Sequence, residues 1–229
     1  MTPPSDAVHA PLIASLAAAG LAAGWIQRAV IVRLAVPADQ PDASGVERAA
    51  RPPALAVGCA TAILLGALAA RVHPGLILAA ACWLAACAVP LAFVDAAVRR
   101  LPDPLTAAAY AGTAVLLLLA AAGGHWHDMA RAALGGLALA GFYLLLLLIS
   151  PSGMGLGDVK AAASIGTLLA WPSWRLLIAG GFAGFLLAAI YGIALLISGR
   201  ATRKQKIPFG PFMIAGAFLV ILAAPLAGS

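Results

Sequence analysis

Charge is scarce in this sequence: only 10% of its 229 residues are Asp, Glu, Lys or Arg, against 63% that are hydrophobic. No ordinary soluble domain needs so much apolar sequence for its core, which excludes a soluble enzyme and points to a polytopic membrane protein. Cysteine is nearly missing as well. Cys59, Cys82 and Cys87 lie inside apolar runs, none of them in a CxxC pair. Neither a disulfide framework nor a thiolate zinc site is expected, and the three read as small buried hydrophobes. The opening residues Met1 to Ala10 lack the basic region of a cleaved signal peptide, so the first apolar run is expected to stay as a helix.

What the chain has in quantity is apolar runs close to the length that a hydrocarbon core requires. They fall at Pro11 to Val36, Ala54 to Ala70, Gly75 to Val94, Leu105 to Ala122, Ala130 to Ser150 and Arg175 to Ser198, with a shorter one at Val159 to Leu169 and a last one ending near Leu226. The reading is an all-α polytopic membrane bundle of about eight transmembrane helices, one membrane-embedded unit over 1–229 with a short loop at 37–53. The net charge of +6 sits in short clusters between the runs, which suits membrane orientation rather than nucleic acid. Eleven of the 14 Lys and Arg residues, among them Arg48, Arg51, Arg99, Arg100, Lys160 and the Arg200–Lys206 stretch, fall on one side of such a bundle. Arg71, Arg131 and Arg175 fall on the other. The crowded side is therefore expected to be cytoplasmic, with both termini outside.

Only eight residues are acidic, so each one is informative. Asp158 follows Gly155 and Gly157 in the stretch Pro151 to Lys160, PSGMGLGDVK, and Asp95 opens VDAAVRRLPDPLT. Both lie at the expected cytoplasmic boundary, where an ionisable group is expensive and marks a candidate site. Two carboxylates brought together in a partly dry site share a proton. The ionised member then serves as base toward water and the protonated one polarises a carbonyl. The glycines would let a substrate backbone lie close.

Plainer readings stand beside these. Asp95 could be solvated or paired with Arg99, and Asp103, between Pro102 and Pro104, suits a helix cap. Lys160 either steadies Asp158, meets substrate or extends toward the interface. His125, His127 and Asp128 could be a metal set but fall on the far side from the acids, and no metal site or cofactor is expected. Arg200–Lys206 reads first as a solvated basic loop, then as an anchor for anionic lipid.

GMGLGDVK resembles the GxGD signature of the type IV prepilin peptidases, membrane aspartyl proteases of eight helices, and VDAAVRRLPDPLT resembles their other aspartate segment. IPFGPF, Ile207 to Phe212, is similar to the motif before their last helix, and GLAAGWIQRAVIVRLAVP to their first helix. The resemblance implies that Asp95 and Asp158 are the catalytic pair. Gly155, Gly157, Lys160, Pro208, Gly210 and Pro211 would then bind substrate or shape the site. It also implies a prepilin or pseudopilin substrate, cut behind its basic leader at the cytoplasmic face of the bacterial inner membrane. The loop 37–53 has no cysteine, whereas the family's first loop usually carries paired CxxC motifs. That departure argues for a peptidase without the zinc-bearing module and against N-methyltransferase activity. The alternatives are a small secondary transporter using its membrane-boundary acids, for which no internal repeat is visible, and an inactive scaffold.

Overall fold

The computed structural model describes residues 5–35, 51–151, 154–199 and 208–223. They form eight helices: α1 (Ser5–Ala35), α2 (Ala54–Arg71), α3 (Leu76–Val98), α4 (Asp103–Ala121), α5 (Trp126–Ile149), α6 (Leu156–Ala170), α7 (Trp174–Ile197) and α8 (Gly210–Ala223). No strand occurs among the described residues. Most of the loop 37–53, all of Arg200–Lys206, Ile207 and the pair 152–153 lie outside the described residues.

Six helices are long and apolar enough to cross a membrane. Their outward faces carry Trp25, Ile26, Leu137, Leu148 and Ile178, all well exposed, so the bundle presents an apolar surface to lipid. This is a multi-pass membrane protein. The remaining two helices are short: α6 has 15 residues and α8 has 14. At 1.5 Å per residue α6 spans only about 22 Å of a hydrocarbon core roughly 30 Å thick. It is tolerated because α3, α4, α5, α7 and α8 surround it, and ten of its residues are buried. Its far end, Leu168 to Ala170, is wholly covered by its neighbours.

Small residues let the helices approach closely, as expected where packing rather than hydrophobicity drives association. A Cβ on Gly24 of α1 would lie 2.5 Å from the Gly58 Cα of α2, and one on Gly216 of α8 would lie 2.7 Å from the Gly184 Cα of α7. α5 and α6 pack antiparallel through Gly135, Gly136 and Gly166. The far end of that hairpin is fixed by Arg131 of α5, whose guanidinium donates to the Ala170 carbonyl at 2.8 Å and also to that of Trp171. These are carbonyls that the end of α6 would otherwise leave unpaired.

Two of the helix ends that differ from the sequence reading place the acids. α3 continues to Val98, one turn beyond Val94, and α6 starts at Leu156 rather than Val159. An apolar count stops at the first acid, but helical hydrogen bonding does not. Both aspartates therefore sit on helices, Asp95 in a last turn and Asp158 in a first. α3 ends where Arg99 takes a left-handed conformation, φ 54° and ψ 41°, its N–H donating to the Asp95 carbonyl at 2.8 Å.

Pro90 lies inside α3 and has no N–H for the carbonyl of Ala86. Gln27 of α1 replaces it: its Nε2 donates to that carbonyl at 2.9 Å, while its Oε1 accepts from the buried Thr61 hydroxyl at 2.7 Å. Gln27→Leu is expected to destabilise the bundle by about 1–3 kcal/mol, the penalty of an orphaned buried acceptor. In a Pro90→Ala background the same substitution should lose most of that effect, which thermal unfolding of the four variants would show.

Candidate active site

Asp95 and Asp158 are both buried, at 5% and 8% exposure. Each carboxylate is held by a backbone N–H at a helix start. Asp95 Oδ2 accepts from Gly210 N at 2.9 Å, the first residue of α8. Asp158 occupies the third position of α6, and its Oδ2 accepts at 2.9 Å from the N–H of Gly155, the residue that caps the helix. This is half of a capping box, since glycine has no side chain to answer. The structure brings the two acids to the same end of the bundle, close enough for the charge on Asp158 to act on Asp95. Arg99 acts on Asp95 electrostatically but makes no ion pair with it. Asp158 Oδ1 is buried with no hydrogen-bond partner among the described residues.

The two loop glycines do different things. A Cβ on Gly155 would lie 3.6 Å from Asp158 Oδ2, an ordinary contact, and its backbone at φ −107° and ψ 159° suits any residue. A Cβ on Gly157 would lie 2.7 Å from the Leu101 Cβ and 3.0 Å from the Leu101 carbonyl oxygen. The bare α carbon of Gly157 is thus what lets α6 start against the α3–α4 turn. Gly157→Ala is expected to push the Asp158 end of α6 away from that turn and slow the site's chemistry about tenfold. Gly155→Ala should remain near the native rate, and a parallel cleavage assay separates the two.

Gly210 is almost as tight as Gly157. A Cβ there would meet Asp95 Oδ2 at 2.8 Å. Pro211 follows in the first turn of α8, where a missing N–H is harmless, and Pro208 precedes the helix. Lys160 points away from Asp158, its Nζ lying 2.6 Å from Asp103 Oδ1, so the pair ties the start of α4 to α6. Asp103 is therefore the first helical residue with an ion pair rather than the cap, which falls on Pro102. Both side chains are at least half exposed, so the pair contributes modestly. His125 and His127 lie 3.4 Å and 3.9 Å from Asp128, which also pairs with Arg131 at 2.8 Å. No group of three potential metal ligands occurs among the described residues.

Beside the acids opens an apolar groove of about 390 Å³, lined by Leu146 and Ile149 of α5, Phe185 and Ala188 of α7, Met154 and Phe209. Met154 precedes Gly155 and Phe209 precedes Gly210 in sequence, so two residues lining the groove are chain neighbours of the glycines that hold the carboxylates. Sequence reasoning missed Phe209, Met154 and Leu101, because they are ordinary apolar residues until the tertiary register places them.

Fold and site together define a multi-pass helical membrane protein with two buried, backbone-tethered carboxylates at one end of its bundle. Residues 78–197 match the type IV leader peptidase family, and the chain belongs to that family. The prepilin leader peptidase/N-methyltransferase of Aeromonas salmonicida (strain A449) is 32% identical over 169 residues, 71% of this chain and 55% of that protein. The protein of the same name from Bacillus subtilis (strain 168) is 38% identical over 87 residues, 37% of this chain and 34% of its own. The leader peptidase HopD of Escherichia coli is 40% identical over 78 residues, covering 33% and 48%. The chain spans about half the length of the first of these relatives. No solved structure matches it. Nothing in these relationships supports the transporter alternative.

Proposed function

We propose that this chain is a single membrane-embedded aspartyl endopeptidase that removes the N-terminal leader of prepilins or pseudopilins. The observation that carries the reading is the burial of Asp95 and Asp158 at one end of the bundle, each fixed through one oxygen by a helix-start N–H. One acid, ionised, takes a proton from the attacking water, and the other, protonated, gives its proton to the scissile carbonyl oxygen. Collapse of the tetrahedral intermediate breaks the C–N bond, and the leaving amine takes up the proton held by the base. The groove beside Phe209 and Met154 suits an apolar stretch of substrate next to the cut.

The charge count supports a cytoplasmic site in the bacterial inner membrane: Arg99, Arg100 and Lys160 lie at the end that holds the acids. A basic leader would stay on that side. The cysteine-free loop 37–53 supports peptidase activity without methyl transfer. Purified protein in detergent or liposomes, given basic-leader prepilins and a methyl donor, should release the leader and leave a mature N-terminus without added methyl mass. An uncut substrate panel would refute the peptidase reading. A methylated product would refute only the second part.

A further inference from the structure

Tyr143 is among the largest fully buried side chains of the bundle, and its hydroxyl has no hydrogen-bond partner among the described residues. A buried hydroxyl left unpaired is costly, so its persistence calls for an explanation. Its place in the fold supplies one. On the α5–α6 interface Gly166 packs against Leu139. Running antiparallel, one turn onward in α5 and one turn back in α6 bring Tyr143 to the level of Ala162, a further turn of about 5.4 Å from Asp158. The Asp158 charge acts on the phenol, and the Asp158 oxygen not used by Gly155 is likewise buried and unpaired among the described residues, as is Ser164 Oγ further along α6. The ring is wedged against Phe185 at 5.5 Å and Phe209 at 5.7 Å between centroids. Phe209 in turn precedes the glycine that holds Asp95. The ring is therefore fixed by packing alone, about one helical turn from the level of Asp158, with its donor unused.

We infer that Tyr143 is a third catalytic group of this site, donating a hydrogen bond to the scissile carbonyl oxygen when the bound peptide parts the packing that buries this hydroxyl and Asp158 Oδ1. The inference rests on the peptidase reading above. When water adds to the carbonyl carbon, the C=O π electrons move onto that oxygen, which takes the proton of the protonated aspartate. The tyrosine keeps its own proton and contributes only the hydrogen bond, which strengthens as negative charge gathers on the oxygen.

Tyr143→Phe tests this, because it removes the hydroxyl and keeps the ring packing. Loss of one such donor predicts a fall in kcat of about 100-fold with KM nearly unchanged. Removing an unpaired buried hydroxyl also predicts a Tm equal to or above the native value, the opposite of a residue that merely supports the fold. Prepilin cleavage and thermal unfolding would be measured for the native chain, Tyr143→Phe and Asp158→Asn. Full kcat in Tyr143→Phe, while Asp158→Asn is inactive, overturns the role of Tyr143 and leaves the peptidase reading intact. A lower kcat accompanied by a lower Tm also overturns it. A native chain that cuts nothing overturns both.

Discussion

Asp158→Asn is expected to slow leader cleavage by about 10²–10⁴-fold, the range over which a positioned acid or base acts. The substitution is nearly isosteric, and the asparagine oxygen can still accept the Gly155 N–H that now reaches Asp158 at 2.9 Å. α6 should start at the same residue, so the loss falls on proton transfer rather than on folding. Asp95→Asn should behave alike, since an amide oxygen can keep the bond from Gly210. Circular dichroism and melting of both variants should match the native chain, while cleavage followed by mass spectrometry collapses. Either variant cutting at the native rate would remove that acid from the mechanism.

The second large effect is expected from a residue with no chemistry of its own. In Gly210→Ala the new methyl would stand 2.8 Å from Asp95 Oδ2, inside any allowed contact, and a tight 3.2 Å from its Cγ. Either the carboxylate turns out of line or the start of α8 retreats, and both break the 2.9 Å bond that orients Asp95. A misplacement of about 1 Å is enough for roughly a 10²-fold loss of rate. Since α8 would remain packed on α7 through Gly184 and Gly216, substrate binding should suffer less than turnover. Steady-state kinetics would show kcat falling much further than KM rises. A native kcat in this variant would mean that the Gly210 contact does not position the acid.

The acids were legible in the sequence because a carboxylate in a run of alanine, valine and leucine cannot be there for solubility. The helix count was legible for a similar reason, apolar length being set by bilayer thickness. The shortness of α6 was legible as the short run Val159 to Leu169, but what tolerates it was not, because a helix shielded by five others no longer has to match the bilayer and hydropathy carries no record of that shielding. The glycines show the limit most clearly. Gly155 and Gly157 read alike as room for a substrate backbone, yet the space beside Gly157 is filled by Leu101 from the preceding turn. Lys160 likewise was read as steadying Asp158, meeting substrate or extending toward the interface, and none of these readings named its partner Asp103, on another helix. Which neighbour a side chain meets depends on helix register, and register is written in small-residue contacts such as Gly136 on Thr167 rather than in any motif.

The most direct test of the account is the cleavage rate of the Asp95→Asn/Asp158→Asn double variant compared with each single one, on a common prepilin substrate in liposomes. Two acids sharing one proton-transfer task predict that the double variant is no slower than the slower single, because the first loss already disables the pair. Losses that multiply, or a single variant that cuts as fast as the native chain, would show that Asp95 and Asp158 do not work as one unit.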